Sequence, residues 1–232
     1  MTAAARMLRR RAKLRLVIFD CDGVLVDSEA VVNAVVAEDL TAIGWPMTGG
    51  ESEARFRGMA LRDMVPVIET RLGRPLPADW RPQVSRRILA ALSERAVLVA
   101  GAREVLEATT ALGLPWRIAS NSSHEEMAAK FRRTGLLDMV AGRLHSHRDV
   151  GRAKPAPDLF LAAAAAEGVA PAGCVVVEDS VPGARAAAAA GMDCLGFSPQ
   201  GDDPSLRQAG AALIHSLAEL PALFRLALEA AA

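Results

Sequence analysis

Five short stretches of the chain, residues 14–19, 115–119, 139–144, 174–177 and 193–197, are dominated by apolar residues without a regular polar alternation. A strand wetted on one face shows a polar residue at every second position. Runs without that alternation predict strands covered on both faces, the condition of parallel sheets. The segments between them read as helices. SSHEEMAAKFRRTG opens on a Ser/Glu capping pattern and stops at Gly135, APDLFLAAAAAEG stops at Gly168, and VPGARAAAAAG stops at Gly191. Strand, helix and strand joined by short connections predict an α/β fold built on a doubly wound parallel sheet.

From Ala30 to about Leu98 the rhythm changes. The pattern there is helical, with turns at GWPMTGG and GRPLPADWRP and no convincing strand. A small helical domain inserted after the first strand accounts for it. The expected organisation is a loose basic extension over residues 1–13, a sheet core from residues 14–29 and 97–232, and a helical insert over residues 30–96. The Ala-rich runs near Ala162 and Ala186 read as tightly packed helices.

Composition narrows the function classes. Basic and acidic residues number 27 each in a chain of 232 residues, so no nucleic-acid or membrane-surface partner is expected. The chain is expected to act as a monomer or small homo-oligomer. Cys21, Cys174 and Cys194 are too few and oddly numbered for a disulfide framework, which fits a reducing, cytoplasmic setting. The apolar run after the basic start is too short for a secretory signal.

The chemistry gathers where the strands end. In open parallel sheets, ligands bind beyond the carboxyl ends of the strands. The first run ends in Asp20 and Asp22, the second in Ser120 and Asn121, and CVVVEDS in Glu178 and Asp179. Lys154 sits in GRAKPAPD, just before a helix. Asp20 and Asp22, two apart, point the same way in an extended chain, and Gly23 permits a sharp turn. Clustered acids repel unless a cation lies among them, and an oxygen-only set suits Mg2+ beside a phosphoryl group. An EF-hand fails, because Val24, Leu25 and Val31 occupy its diagnostic positions. A cysteine-phosphatase loop fails as well, since Asp27 stands where an arginine is needed; Cys21 is then a packing residue. Neither a Walker loop nor a Rossmann glycine fingerprint occurs at a strand end.

The segments FDCDGVLVDSE, IASNSS, KPAPD and VVEDSVPGA together resemble the four motifs of the haloacid dehalogenase superfamily. The likeness is to its capped phosphatases and phosphomutases, especially the sugar-phosphate phosphatases, and spans nearly all the chain beyond Leu14. The resemblance implies a Mg2+-dependent phosphatase acting on a small phosphorylated metabolite through an aspartyl-phosphate. It casts Asp20 as nucleophile and Asp22 as acid and base. Ser120, Asn121 and Lys154 become phosphate-binding, and Asp20, Asp22, Asp179 and Glu178 become metal ligands. Mutases of this kind carry a histidine shortly after the first motif. Here EAVVNAV has Val32 and Asn33, which favours hydrolysis over a phosphosugar mutase. A phospho-accepting signalling module would lack the insert, and intact motifs argue against an inactive binding protein.

In the insert, EARFRGMALRDMV resembles a specificity loop, with Arg57 and Gly58 as candidates to meet the substrate. Arg62, Arg86 and Arg87 read as surface charges. Glu29 and Asn33 are candidates to face the cleft, and Asp27 and Ser28 to form a hinge and helix cap. His145 and His147 read as strand-end residues, and Trp45, Trp80 and Trp116 as packing residues.

Overall fold

The computed structural model describes residues 2–9, 14–56, 59 and 61–230. Helix α1 (Ala3–Arg9) leads into strand β1 (Leu16–Phe19), and a turn carries the chain to the two-residue β2 (Val26–Asp27). Helices α2 (Glu29–Ala42), α3 (Gly49–Phe56), α4 (Leu61–Leu72) and α5 (Trp80–Arg95) follow, and β3 (Val97–Leu98) pairs antiparallel with β2. The rest runs α6 (Ala102–Ala111), β4 (Trp116–Ser120), α7 (His124–Arg133), α8 (Leu137–Val140), β5 (Leu144–Ser146), α9 (His147–Val150), α10 (Asp158–Ala166) and β6 (Cys174–Glu178). It closes with α11 (Val181–Ala189), β7 (Asp193–Phe197), α12 (Pro204–Gln208), β8 (Ala212–Ile214) and α13 (Leu220–Glu229).

The main sheet is parallel throughout, in the order β5-β4-β1-β6-β7-β8. Successive side chains leave a strand on opposite faces. Val17 and Phe19 of β1 join one apolar cluster, while Leu16 and Ile18 join the other. Both faces are covered, which is why LVIF shows no polar alternation. The face carrying Leu16 and Ile18 is packed by alanines of α10 and α11, among them Ala163, Ala164, Ala186 and Ala187. Side chains that small let helices approach a sheet closely. The opposite cluster continues without a break into the inserted helices, through Leu40, Phe56, Ile68 and Ile88.

Three sequence expectations need correction. Residues 3–9 are no loose extension: Ala4, Ala5 and Leu8 are buried, and α1 packs on α13 and β8. The run at 139–144 is not a strand. Val140 ends a short helix, Gly142 turns the chain at φ 73°, and β5 begins only at Leu144. The paired segments Val26–Asp27 and Val97–Leu98, at the two ends of the insert, and β8 were not anticipated; each has at most three residues, too few for a periodic signal.

Candidate active site

The ends of β1, β4 and β6 lie side by side in the sheet, because β1 pairs with both of the others. Asp20 follows β1 and is held in register by its N–H, which donates to Val177 O at 2.9 Å. Its side chain is buried. Lys154 reaches it from the loop before α10: Nζ donates to Asp20 Oδ1 at 2.5 Å, to Glu178 Oε1 at 2.8 Å and to the Ala119 carbonyl at 2.8 Å. One buried ammonium thus ties three strand ends together. Asn121 braces the same loop. Its Oδ1 accepts the Lys154 N–H at 2.9 Å, and its amide faces the Lys154 carbonyl at 3.4 Å.

Glu178 is 1% exposed, and both its oxygens are occupied: Oε1 by Lys154, Oε2 by the N–H and hydroxyl of Ser180, each at 2.8 Å. Gly183, in the first turn of α11, leaves the room that this carboxylate fills. A Cβ there would lie 1.7 Å from Glu178 Oε1. Gly23 makes similar room for Asp179. It adopts φ 78°, and a Cβ would lie 2.0 Å from Asp179 Oδ2.

Asp22 is committed elsewhere. The chain has left the strand by residue 20, so the alternation of an extended segment no longer governs the two aspartates. The Asp22 Oδ1 atom accepts from Ser28 Oγ and from Lys130 Nζ at 2.5 Å; Oδ2 accepts from Ser120 and Ser122, each at 2.9 Å. Lys130, on α7, is fully buried and also donates to Ser122 Oγ at 2.9 Å. Among the charges of HEEMAAKFRR it does not stand out. Yet it lies three residues after Met127 and beside Phe131, both buried, so helical spacing alone places it on the inward face.

The charges separate by neighbour. Burial pushes Asp20 up to about 7, with Glu178 and Asp22 adding repulsion and Lys154 pulling down. Burial likewise holds Asp179 well above the usual carboxylate range, reinforced by Glu178, Asp20 and Glu29. For Asp22 burial also acts upward, but the charge and hydrogen bond of Lys130 and the hydroxyls of Ser28 and Ser122 outweigh it, leaving about 2. Burial opposes the charge on Lys154, but Asp20 and Glu178 outweigh it and raise its pKa above that of an ordinary lysine.

Asp20, Glu178 and Asp179 each offer an oxygen within 4.8 Å of the others, the only such group of three or more metal-capable side chains among the described residues. All-oxygen donors, two of them held back from ionising by burial and mutual repulsion, fit a hard divalent cation. A cleft of about 620 Å3 opens beside them, lined by Gly23, Asp27, Glu29, Glu53, Asp179 and His215 among others.

The remaining expectations divide. Arg57 and Gly58 lie outside the described residues. Glu29 lines the cleft, whereas Asn33 is buried away from it: its amide donates to Glu29 O and its Oδ1 accepts from Ser52, linking α2 to α3. Ser28 stands at the start of α2, but its hydroxyl serves Asp22 rather than the helix end. Arg62 is paired with Asp63 and exposed, and Arg87 pairs with Glu38 and Asp39 on the surface. His145 lies in β5 and His147 starts α9. Trp80 and Trp116 are buried; Trp45 is buried beneath Arg55 and Arg71. The three cysteines are free and buried. Among the described residues, no helix is long and apolar enough to cross a membrane.

The sequence pattern of haloacid dehalogenase-like hydrolases matches residues 14–191. The chain belongs to this family. It is 28% identical over 215 residues to the 6-phosphogluconate phosphatase of Escherichia coli K12, with 92% of this chain and 96% of that protein covered. It is 28% identical over 218 residues to hexitol phosphatase A of the same organism, covering 88% and 91%. Among solved structures, a HAD family hydrolase from Deinococcus radiodurans R1 with bound phosphate and sodium superposes with a TM-score of 0.77 at 34% identity, covering 94% of this chain and 98% of that one.

Proposed function

We propose that the protein is a Mg2+-dependent phosphatase that hydrolyses a small phosphorylated metabolite, a sugar phosphate, through an aspartyl-phosphate. The observation that carries this is the Lys154 ammonium bridging Asp20 and Glu178 within the Asp20–Glu178–Asp179 cluster. A carboxylate nucleophile needs a neighbouring cation to stay ionised where burial opposes its charge, and Lys154 supplies one.

In the first half-reaction an Asp20 oxygen forms a bond to phosphorus as the bond from phosphorus to the leaving oxygen breaks. Asp22 gives its proton to that oxygen. In the second half-reaction water attacks the same phosphorus, Asp22 takes the water's proton, and the Asp20–phosphorus bond breaks. Asp22 is ionised in the free enzyme, so the proton it gives comes from the bound phosphate monoanion, and the proton it takes from water leaves with the released phosphate. Ser120, at the end of β4, and Lys154 hold the phosphoryl oxygens, and Asn121 fixes the main chain that carries Lys154. Asp20, Asp179 and the Asp22 carbonyl would hold Mg2+, with Glu178 beside them. When bound, that ion supplies charge neutralisation at the transferring phosphoryl group.

Residues 30–96 serve as the cap over this site, hinged at the β2–β3 pair, with the segment of Arg57 and Gly58 meeting the substrate. The named activities of the two E. coli relatives support a sugar-derived substrate. Asn33, which occupies the stretch where a mutase would carry histidine, has both ends of its amide engaged, by the Glu29 carbonyl and the Ser52 hydroxyl, which supports hydrolysis. The free, buried cysteines support a cytoplasmic setting.

Phosphate release over a panel of sugar phosphates and small phosphomonoesters tests the assignment. Wild type with Mg2+ releases phosphate from at least one, and Asp20→Asn does not. Equal release by Asp20→Asn, or by enzyme kept in EDTA, would remove the nucleophile or the metal from the scheme.

A further inference from the structure

The Asp22 carboxylate is saturated. Four donors, Ser28, Lys130, Ser120 and Ser122, face its two oxygens, and an ionised carboxylate offers about four lone-pair sites. It can meet a leaving oxygen only by giving up a donor. Two of the four have reason to move. Ser28 heads the inserted helices, and Ser120 is the hydroxyl assigned above to the phosphoryl group. The other two stay with the core. Lys130 stands on α7, and Ser122 lies in the loop before it, where its N–H donates to Ser120 Oγ at 2.9 Å.

Lys130 is also an improbable way to fill its position. It has no exposed surface and lies on the same helix face as Met127 and Phe131. Burying an ammonium is costly, and apolar residues of similar size commonly fill such places at least as stably. Packing alone does not account for the charge.

We propose that Lys130 is a positioning residue for Asp22. Its ammonium pins Oδ1 from the rigid core. When Ser120 turns to the phosphoryl group, Oδ2 is released towards the leaving oxygen while Oδ1 stays anchored. Asp22 with its four donors is ionised, so Oδ2, once Ser120 has left it, takes the proton of the bound phosphate monoanion and passes it to the leaving oxygen as the bond to phosphorus breaks, while Lys130 keeps all of its own. This inference rests on the phosphatase assignment and names the group that aims its acid.

Lys130→Met tests it through leaving-group dependence. A nitrophenolate departs without a proton, whereas a sugar alkoxide needs one. The constant kcat/KM reports steps up to the first phosphoryl transfer and is blind to hydrolysis of the phosphorylated Asp20. It is measured with Mg2+ for p-nitrophenyl phosphate and for the sugar phosphate turned over fastest in the panel. Lys130→Met should lose about 10- to 100-fold on the sugar phosphate and less than about threefold on p-nitrophenyl phosphate. A merely structural lysine would lower both alike. Equal losses, or none, overturn the proposal. If Lys130→Met does not fold, Lys130→Gln, which keeps a donor but not the charge, decides in its place, with the same bias expected at about three- to tenfold. A wild type inactive on both substrates sinks the phosphatase assignment and this inference together. An active wild type with unbiased variants sinks only the role of Lys130.

Discussion

Replacing Lys154 by methionine removes the cation between Asp20 and Glu178, which are 6% and 1% exposed. At the observed 2.5 and 2.8 Å, each attraction is on the order of 6 kcal/mol at an effective dielectric of about 20. Desolvation of the three ions offsets most of that sum. Breaking a buried pair from one side costs about 3–5 kcal/mol, because a charge is left behind without its partner. The loss should depend on pH. Asp20 titrates near 7 in the folded protein, above the 3.8 of a free side chain. Between those values the fold holds a proton that the unfolded chain has released, so stability falls as pH rises, by about 1.4 kcal/mol per unit. Without Lys154 the folded value climbs further and the window extends through pH 8. Urea unfolding in EDTA, followed by tryptophan fluorescence, should therefore show Lys154→Met destabilised by about 3–5 kcal/mol at pH 8. At pH 5.5, where the folded Asp20 is already neutral, the penalty should be smaller by at least about 1.4 kcal/mol. A penalty equal at the two pH values to within about 0.5 kcal/mol would refute the claim that Lys154 offsets buried negative charge.

Two further expectations follow from the same cluster. Gly183→Ala places a Cβ 1.7 Å from Glu178 Oε1 and must displace that carboxylate from Lys154; a loss of about 1–3 kcal/mol in thermal unfolding and at least a tenfold fall in kcat/KM are expected, and wild-type behaviour in both would sink the packing argument. Mg2+ at ten times its dissociation constant should stabilise the wild type by about 1.4 kcal/mol, read as a rise in Tm, and Asp179→Asn should abolish the rise.

The legibility of the chain followed the length of its patterns. β1, β4, β6 and β7 were readable because burial on both faces erased polar alternation over four or five residues. Helix α7 was readable because Ser123 and Glu126 form a reciprocal cap. β5 was misplaced because its residues, Leu144, His145 and Ser146, include two polar ones, while the apolar letters before it belong to a helix and a turn. At the site, Asp20, Glu178 and Asp179 could be named in advance because each sits at or just past a strand end, and Lys154 because it is a lone lysine just before a helix. What the sequence hid was the partnering. Nothing local shows that Asp22 would leave Asp20 for Lys130, 108 residues away, or that Asn121 would clamp the backbone of Lys154.

The packing of α1 bears on how the polypeptide matures. Ala4, Ala5 and Leu8 are buried in a seat made with β8 and α13, more than 200 residues further along. On the ribosome that seat does not exist until residues 212–229 have been made, so residues 3–9 must wait, amphipathic and unsheltered, while the sheet assembles behind them. Docking of this helix therefore follows the formation of β8 and α13.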